Sequence, residues 1–314
     1  MQPPVGVVRS LQIAASERGI FKILAVDHWE SMSALIAPSA PDTVSPEQLT
    51  ELKLQIVRHV AGETSAVILD PVYSVAQAIR SDSLPRHVGF LTKAEQEQPQ
   101  GPDHARRTEL IGDWSAAKAK AAGACGVKLF LYYHPHAGEL ATRQETIAQR
   151  IAEQCTAAEI AFFLEPIVYS IDPSQPTNSP AFARQRRQLT IETVKRLAAV
   201  QPTVFKLQFP VDGAWERADS VWREACAELD DACNAPWAIL SAGDPFELFK
   251  AQLQVACEAG CSGFLAGRAL WREAAPLKSE ARQAALDEVV LPRLRELNAI
   301  ADQHGKSWQA KIQS

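Results

Sequence analysis

Eight short apolar runs, each followed by a longer stretch with helical spacing, set the tightest limit on what this chain can fold into. The runs are FKILAVD (21–27), SAVILDP (65–71), HVGFLTK (87–93), CGVKLFLYY (125–133), AFFLEPIVY (161–169), TVFKLQFP (203–210), WAILSAG (237–243) and GFLAGRA (263–269). Amphipathic stretches such as PEQLTELKLQIVRHVAG and RQETIAQRIAEQCTAAE lie between them. Continuous apolar strands alternating with helices indicate a parallel sheet covered on both faces. Eight such units fit a closed (β/α)8 (TIM) barrel better than an open doubly wound sheet. No G-x-G-x-x-G follows the first run, so nothing favours a dinucleotide fold. With 314 residues, no linker and no low-complexity segment, the sequence predicts one domain over 1–314. Its barrel core spans about 19–273, with C-terminal helices over 275–314.

Net charge is −5 and spread along the chain, with no basic patch, which argues against nucleic acid or an anionic membrane as partner. The start, MQPPVGVVRSLQ, lacks a signal-type apolar core, and no apolar stretch reaches membrane-spanning length. Six cysteines without CxxC spacing read as reduced thiols. A cytoplasmic location is expected, and apolar helix faces on such a barrel favour a homodimer.

In barrels of this type chemistry collects at the carboxyl ends of the strands. The runs end in polar residues: Asp27 and His28 on strand 1, Asp70 on strand 2, Lys93 on strand 3. Lys128, Glu165 and Lys206 follow on strands 4, 5 and 6. Any one of these has an ordinary reading as a cap, a turn residue or a snorkelling lysine. Lysines and carboxylates converging from consecutive strands are harder to dismiss, because burying them unpaired is costly. Two neighbouring lysines suggest imine chemistry, since a nearby cation and partial desolvation lower an amine's pKa and leave more free base. A carboxylate such as Glu165 can shuttle the protons. On strands 7 and 8, Ser241, Gly243, Gly267 and Arg268 occupy the usual phosphate position of such barrels. Asp244, Pro245 and Glu247 match an N-cap, a first-turn proline and a capping-box partner. The polar loops after strands 3 and 5 lie on the same side and could cover a pocket.

The segments AVDHWESM, SAVILDP, KLFLYY, AFFLEPIVY, VFKLQFP, LSAGDPFELF and GFLAGRALW resemble, in order and spacing, the tagatose 1,6-bisphosphate aldolase family, which includes the sulfofructose-phosphate aldolases. The resemblance covers about 19–273 and implies a metal-independent class I aldolase without cofactor. Such an enzyme cleaves a phosphorylated ketose to dihydroxyacetone phosphate and an aldehyde such as glyceraldehyde 3-phosphate. It implies Lys206 as Schiff-base nucleophile, Glu165 as acid/base, Lys128 as its neighbouring cation and Asp27 as a contact to substrate hydroxyls. Ser241, Gly243, Gly267 and Arg268 would hold the phosphate beside the ketone, with His28, Asp70 and Gln208 as further substrate contacts. The chain departs from the family's A-x-D-Q-R at His28 and Trp29, from its aspartate after the strand-4 tyrosines, and from its glutamate at Gln208.

Two other readings compete. His134 and His136, with His28 and Asp27, could serve a metal-dependent lyase, although Pro135 between the two histidines suggests a turn. A barrel that binds sugar phosphate without turning it over is the other, and retention of Lys206, Lys128 and Glu165 speaks against it. A transaldolase-like transfer through the same imine is a variant of the enzyme reading.

Overall fold

Each apolar run supplies one strand: β1 Phe21–Ala25, β2 Ala66–Leu69, β3 Gly89–Lys93, β4 Gly126–Tyr133, β5 Ala161–Val168, β6 Val204–Leu207, β7 Trp237–Leu240 and β8 Gly263–Ala266. All neighbours pair in parallel, and β8 closes on β1 through Phe21 opposite Gly263. The computed structural model describes residues 3–312; positions 1–2 and 313–314 of the expected domain lie outside the described residues. Among these residues no helix is long and apolar enough to cross a membrane.

Side-chain alternation divides each strand between two cores. Phe21, Ile23 and Ala25 face inward with Ile68, Leu91, Phe163, Val204, Ala238 and Leu265. The residues between them, such as Leu24, Val67, Phe205 and Phe264, pack outward under the helices. Phe21 and Phe163 meet edge to face at 5.6 Å inside the barrel. An N-terminal helix, Val5–Ala14, was not foreseen from the sequence. Its Leu11 and Ala14 join Trp308 in the inner cluster and close the amino ends of the strands. A Cβ on Gly89, at the start of β3, would lie 2.8 Å from Ile13 of this helix, so the close approach needs glycine.

The helix Pro46–Val60 begins with a full capping box: Ser45 Oγ accepts from Gln48 N at 3.3 Å, and Gln48 Oε1 accepts from Ser45 N at 2.8 Å. It turns Lys53 into the barrel wall. At the carboxyl ends of the strands, the loop after β1 folds into the short helix Glu30–Ile36. The loop after β3 is pinned by antiparallel bridges, Glu95 to Leu110 and Gln100 to Arg107.

Candidate active site

The alternation that sends Ile23, Leu91, Phe163 and Val204 inward continues upward into polar residues. Two residues further along each chain, or four, the inward positions become Asp27, Lys93 and Glu95, Glu165 and Lys206, with Lys128 beside them on β4. None of the six is more than 6% exposed. Lys206 Nζ donates to Glu165 Oε2 at 2.9 Å. The same oxygen lies 3.4 Å from Lys128 Nζ, which also reaches Asp27 Oδ2 at 2.9 Å and Glu95 Oε1 at 2.6 Å. Lys93 donates to the Asp27 carbonyl at 3.1 Å and lies 3.9 Å from the Trp29 ring centre. Three carboxylates and three ammonium groups thus form a charge-balanced layer at the floor of a cavity of about 1180 Å³.

Burial opposes the charge on Lys128, but Asp27, Glu95 and Glu165 outweigh it and hold the ammonium well above its usual range. Burial likewise opposes ionisation of Asp27, yet Lys128, His28, Lys206 and Lys93 keep its carboxyl well below the usual range. Glu95 goes the other way, because burial raises it more than Lys128 and Lys93 lower it. Lys128 is therefore a fixed cation shared by three carboxyl groups.

At the other end of the cavity, Arg268 and Ala242 line the wall. The turn after β7 puts Ala242 at φ 48° and Gly243 at φ 83°, both left-handed. Such a φ costs a non-glycine residue about 1 kcal/mol, and a Cβ on Gly243 would meet Arg272 at 3.2 Å and Arg268 at 3.3 Å. The Arg272 guanidinium donates to the Gly243 carbonyl. A Cβ on Gly267 would lie 2.8 Å from the Ala25 carbonyl and 3.1 Å from the His28 ring. Two arginines thus stand beside a left-handed, glycine-dependent turn, and of the three Arg268 alone lines the cavity.

Of the residues singled out in the sequence, Asp27, His28, Lys93, Lys128, Glu165, Lys206 and Arg268 line the cavity. Ser241, Gly243 and Gly267 flank it without lining it, and Gln208, just past the end of β6, is buried and outside the lining. Asp70 does not reach the cavity either. Its Oδ2 accepts from Lys53 Nζ at 2.5 Å and Ser74 Oγ at 2.7 Å, and its Oδ1 takes the N–H groups of Val72 and Tyr73. A completely buried carboxylate with four donors is a structural ion pair, not a substrate contact. The expected capping box at Asp244 is also absent: the helix starts at Phe246, Pro245 stands at its N-cap, and Glu247 pairs with Lys250 at 2.8 Å.

His134 and His136 stay outside the cavity lining, away from Asp27 and His28. His136 pairs with Glu192 at 2.9 Å, while His134 Nδ1 accepts the His136 N–H at 3.2 Å. Among the described residues no group of three or more His, Cys, Asp or Glu has metal-holding geometry. Burial, then His136, pushes His134 down to about 4, against the pull of Glu192. Its ring is neutral in the folded protein, whereas the unfolded chain takes up a proton below about 6.5. The stability tied to that neutrality is present above pH 6.5 and is lost as pH falls toward 4. We therefore expect the thermal midpoint to drop by several degrees from about pH 7 to pH 5, and to drop less in His134→Gln. Identical slopes in a pH series of melting curves would refute this.

Several lining residues escaped the sequence reading. Glu95 is one, although its parity with Leu91 and Lys93 marks it as inward-facing once β3 is continued past its last ladder residue. Glu97 accepts from the N–H groups of Trp29, Glu30 at 2.9 Å and Ser31 at 3.1 Å, and from the Ser31 hydroxyl. Arg106 stacks its guanidinium 4.4 Å from the Tyr132 ring centre. No local pattern signals Glu97 or Arg106, because both come from an irregular loop.

A family model, DeoC/LacD family aldolase, matches residues 21–273. Over 97% of its length the chain is 29% identical to a tagatose 1,6-diphosphate aldolase of Staphylococcus epidermidis, 98% of which is covered. The fold is similar to a fructose-bisphosphate aldolase from Plasmodium falciparum, with a TM-score of 0.70 at 14% identity and 98% of each chain covered. An archaeal fructose-1,6-bisphosphate aldolase, solved with its catalytic lysine bound to a carbinolamine intermediate, aligns with a TM-score of 0.60 at 16% identity. That alignment covers 94% of this chain and 99% of the archaeal one.

Proposed function

The chain belongs to the DeoC/LacD family of aldolases, enzymes that make or break carbon–carbon bonds, and on that premise we propose that it is a class I aldolase using Lys206 as its Schiff-base nucleophile. The substrate is a ketose phosphorylated next to its carbonyl, of the class to which tagatose 1,6-bisphosphate belongs. The observation that carries this is the contact set in which one Glu165 oxygen serves both Lys206, at 2.9 Å, and Lys128, at 3.4 Å.

Glu165 takes a proton from Lys206, and the freed amine attacks the ketose C2. Glu165 returns the proton to the carbinolamine oxygen, which leaves as water and gives the iminium. Asp27, anchored by Lys128, orients the sugar hydroxyls. With the C4 hydroxyl proton passed to Glu165, the C3–C4 bond breaks and its electrons enter the iminium as an enamine. An aldehyde departs from C4. Protonation at C3 restores the iminium, and water releases dihydroxyacetone phosphate from Lys206. The iminium is itself the electron sink, so the steps call for no metal or cofactor. Lys128 supplies a permanent cation near the oxyanions that develop along this path. Arg268, Arg272 and the turn at Gly243 hold the phosphate. The substrate class fits a cytoplasmic enzyme of sugar metabolism.

Borohydride trapping of EDTA-treated protein with dihydroxyacetone phosphate, followed by peptide mass mapping, tests this. A reduced adduct on Lys206 is expected. Absence of any adduct, with turnover appearing only on metal addition, would overturn it.

A further inference from the structure

The cavity has two ends of opposite character. Beyond the inner layer and Arg268, its ionisable lining consists of Glu30, Asp42, Glu97 and Asp103 against a single arginine, Arg106, and the His28 ring, which burial pushes down to about 3 and keeps neutral. That arginine is held by Asp103 at 2.8 Å. Lys93, the remaining cation near this end, is engaged by the Asp27 carbonyl and by the Trp29 ring. Glu97 sits between the loops after β1 and β3 and takes four donors from residues 29–31. Burial opposes its ionisation, but His28, Lys93, the Ser31 hydroxyl and the Trp29 N–H hold it well below the usual carboxylate range. Its negative charge is thus a permanent part of the wall.

We propose that the substrate is a ketose monophosphate whose far end carries hydroxyl groups and no second phosphate, and that Glu97 is the specificity-determining residue that enforces this. The inference rests on the aldolase reading above and extends it to the aldehyde half of the substrate. A terminal phosphate would meet four carboxylates against one arginine that Asp103 already pairs, and like charges at close range are repelled strongly in a partly desolvated cleft. A polyol tail meets a suitable set: the carboxylates of Glu30 and Asp103 accept from hydroxyls. The buried Arg106 Nε–H, which has no acceptor, can donate to one.

Condensation reads the preference whichever stereoisomer the enzyme forms. Dihydroxyacetone phosphate is supplied with either glyceraldehyde or glyceraldehyde 3-phosphate, and its consumption is followed for wild type and Glu97→Gln. Wild type is expected to favour glyceraldehyde by at least about tenfold in kcat/KM, and Glu97→Gln to narrow that ratio by about tenfold. Equal or faster consumption of glyceraldehyde 3-phosphate by wild type overturns the proposal, as does trapping of dihydroxyacetone phosphate on Lys206 with neither aldehyde consumed. An unchanged ratio in Glu97→Gln removes Glu97 from the role. Trapping on Lys206 separates the two levels: without it the aldolase reading itself falls, and with it only the tail specificity is at stake.

Discussion

Lys206→Met is expected to lower kcat by about 10⁴-fold or more while leaving affinity for dihydroxyacetone phosphate within a few fold of wild type. The proposed phosphate end, at Arg268, Arg272 and Gly243, makes no hydrogen bond to Lys206 among the described residues and is expected to retain its geometry. The fold survives too, because Glu165 keeps Lys128 as a partner at 3.4 Å. The same substitution at Lys128 has a different signature. It leaves Asp27, Glu95 and Glu165 without their common cation, so Lys128→Met is expected to lose stability along with activity. Steady-state kinetics, calorimetric binding and melting curves on both variants separate the chemical lysine from the architectural one. If Lys206→Met retained a tenth of wild-type kcat, Lys206 would not be the nucleophile.

The second large effect lies outside the cavity. Lys53→Met is expected to destabilise the protein by about 3–5 kcal/mol, because it strands a completely buried carboxylate at Asp70. It also removes the donor, at 2.9 Å, from the carbonyl of Val26. The melting temperature should fall by roughly 10 °C. The double variant Lys53→Met with Asp70→Asn should recover much of the loss, since a neutral amide tolerates the missing cation. A single variant that melts within a degree or two of wild type would show the pair to be dispensable. Val26 precedes Asp27 in the chain, so surviving Lys53→Met enzyme should also show reduced kcat as the Asp27 carboxylate loses its fixed aim.

Apolar continuity identified all eight strands, because burial on both faces leaves no room for another composition. The lysines and carboxylates of the inner layer were legible for the same reason: in so apolar a setting a charge is conspicuous. Asp70 was read with them and does not belong, since its partner Lys53 comes from a helix 17 residues earlier in the chain. Nothing in the strand itself tells a substrate carboxylate from one committed to a buried lysine. Glu97 and Arg106 were illegible for a related reason, as irregular loops have no period from which a direction can be read. The helix Val5–Ala14 was overlooked because its apolar face is short and its role as a floor for the barrel exists only after closure.

The balance of three carboxylates against three ammonium groups bears on how such a protein can change over time. A lone substitution within the layer leaves a buried excess of one sign, so an altered lineage must pass through a damaged intermediate or change two positions together. Glu30, Asp103 and the half-buried Arg106 line the same cavity outside the layer, where single changes carry little such penalty. Divergence should therefore keep the chemistry intact as a block and let the choice of aldehyde drift around it.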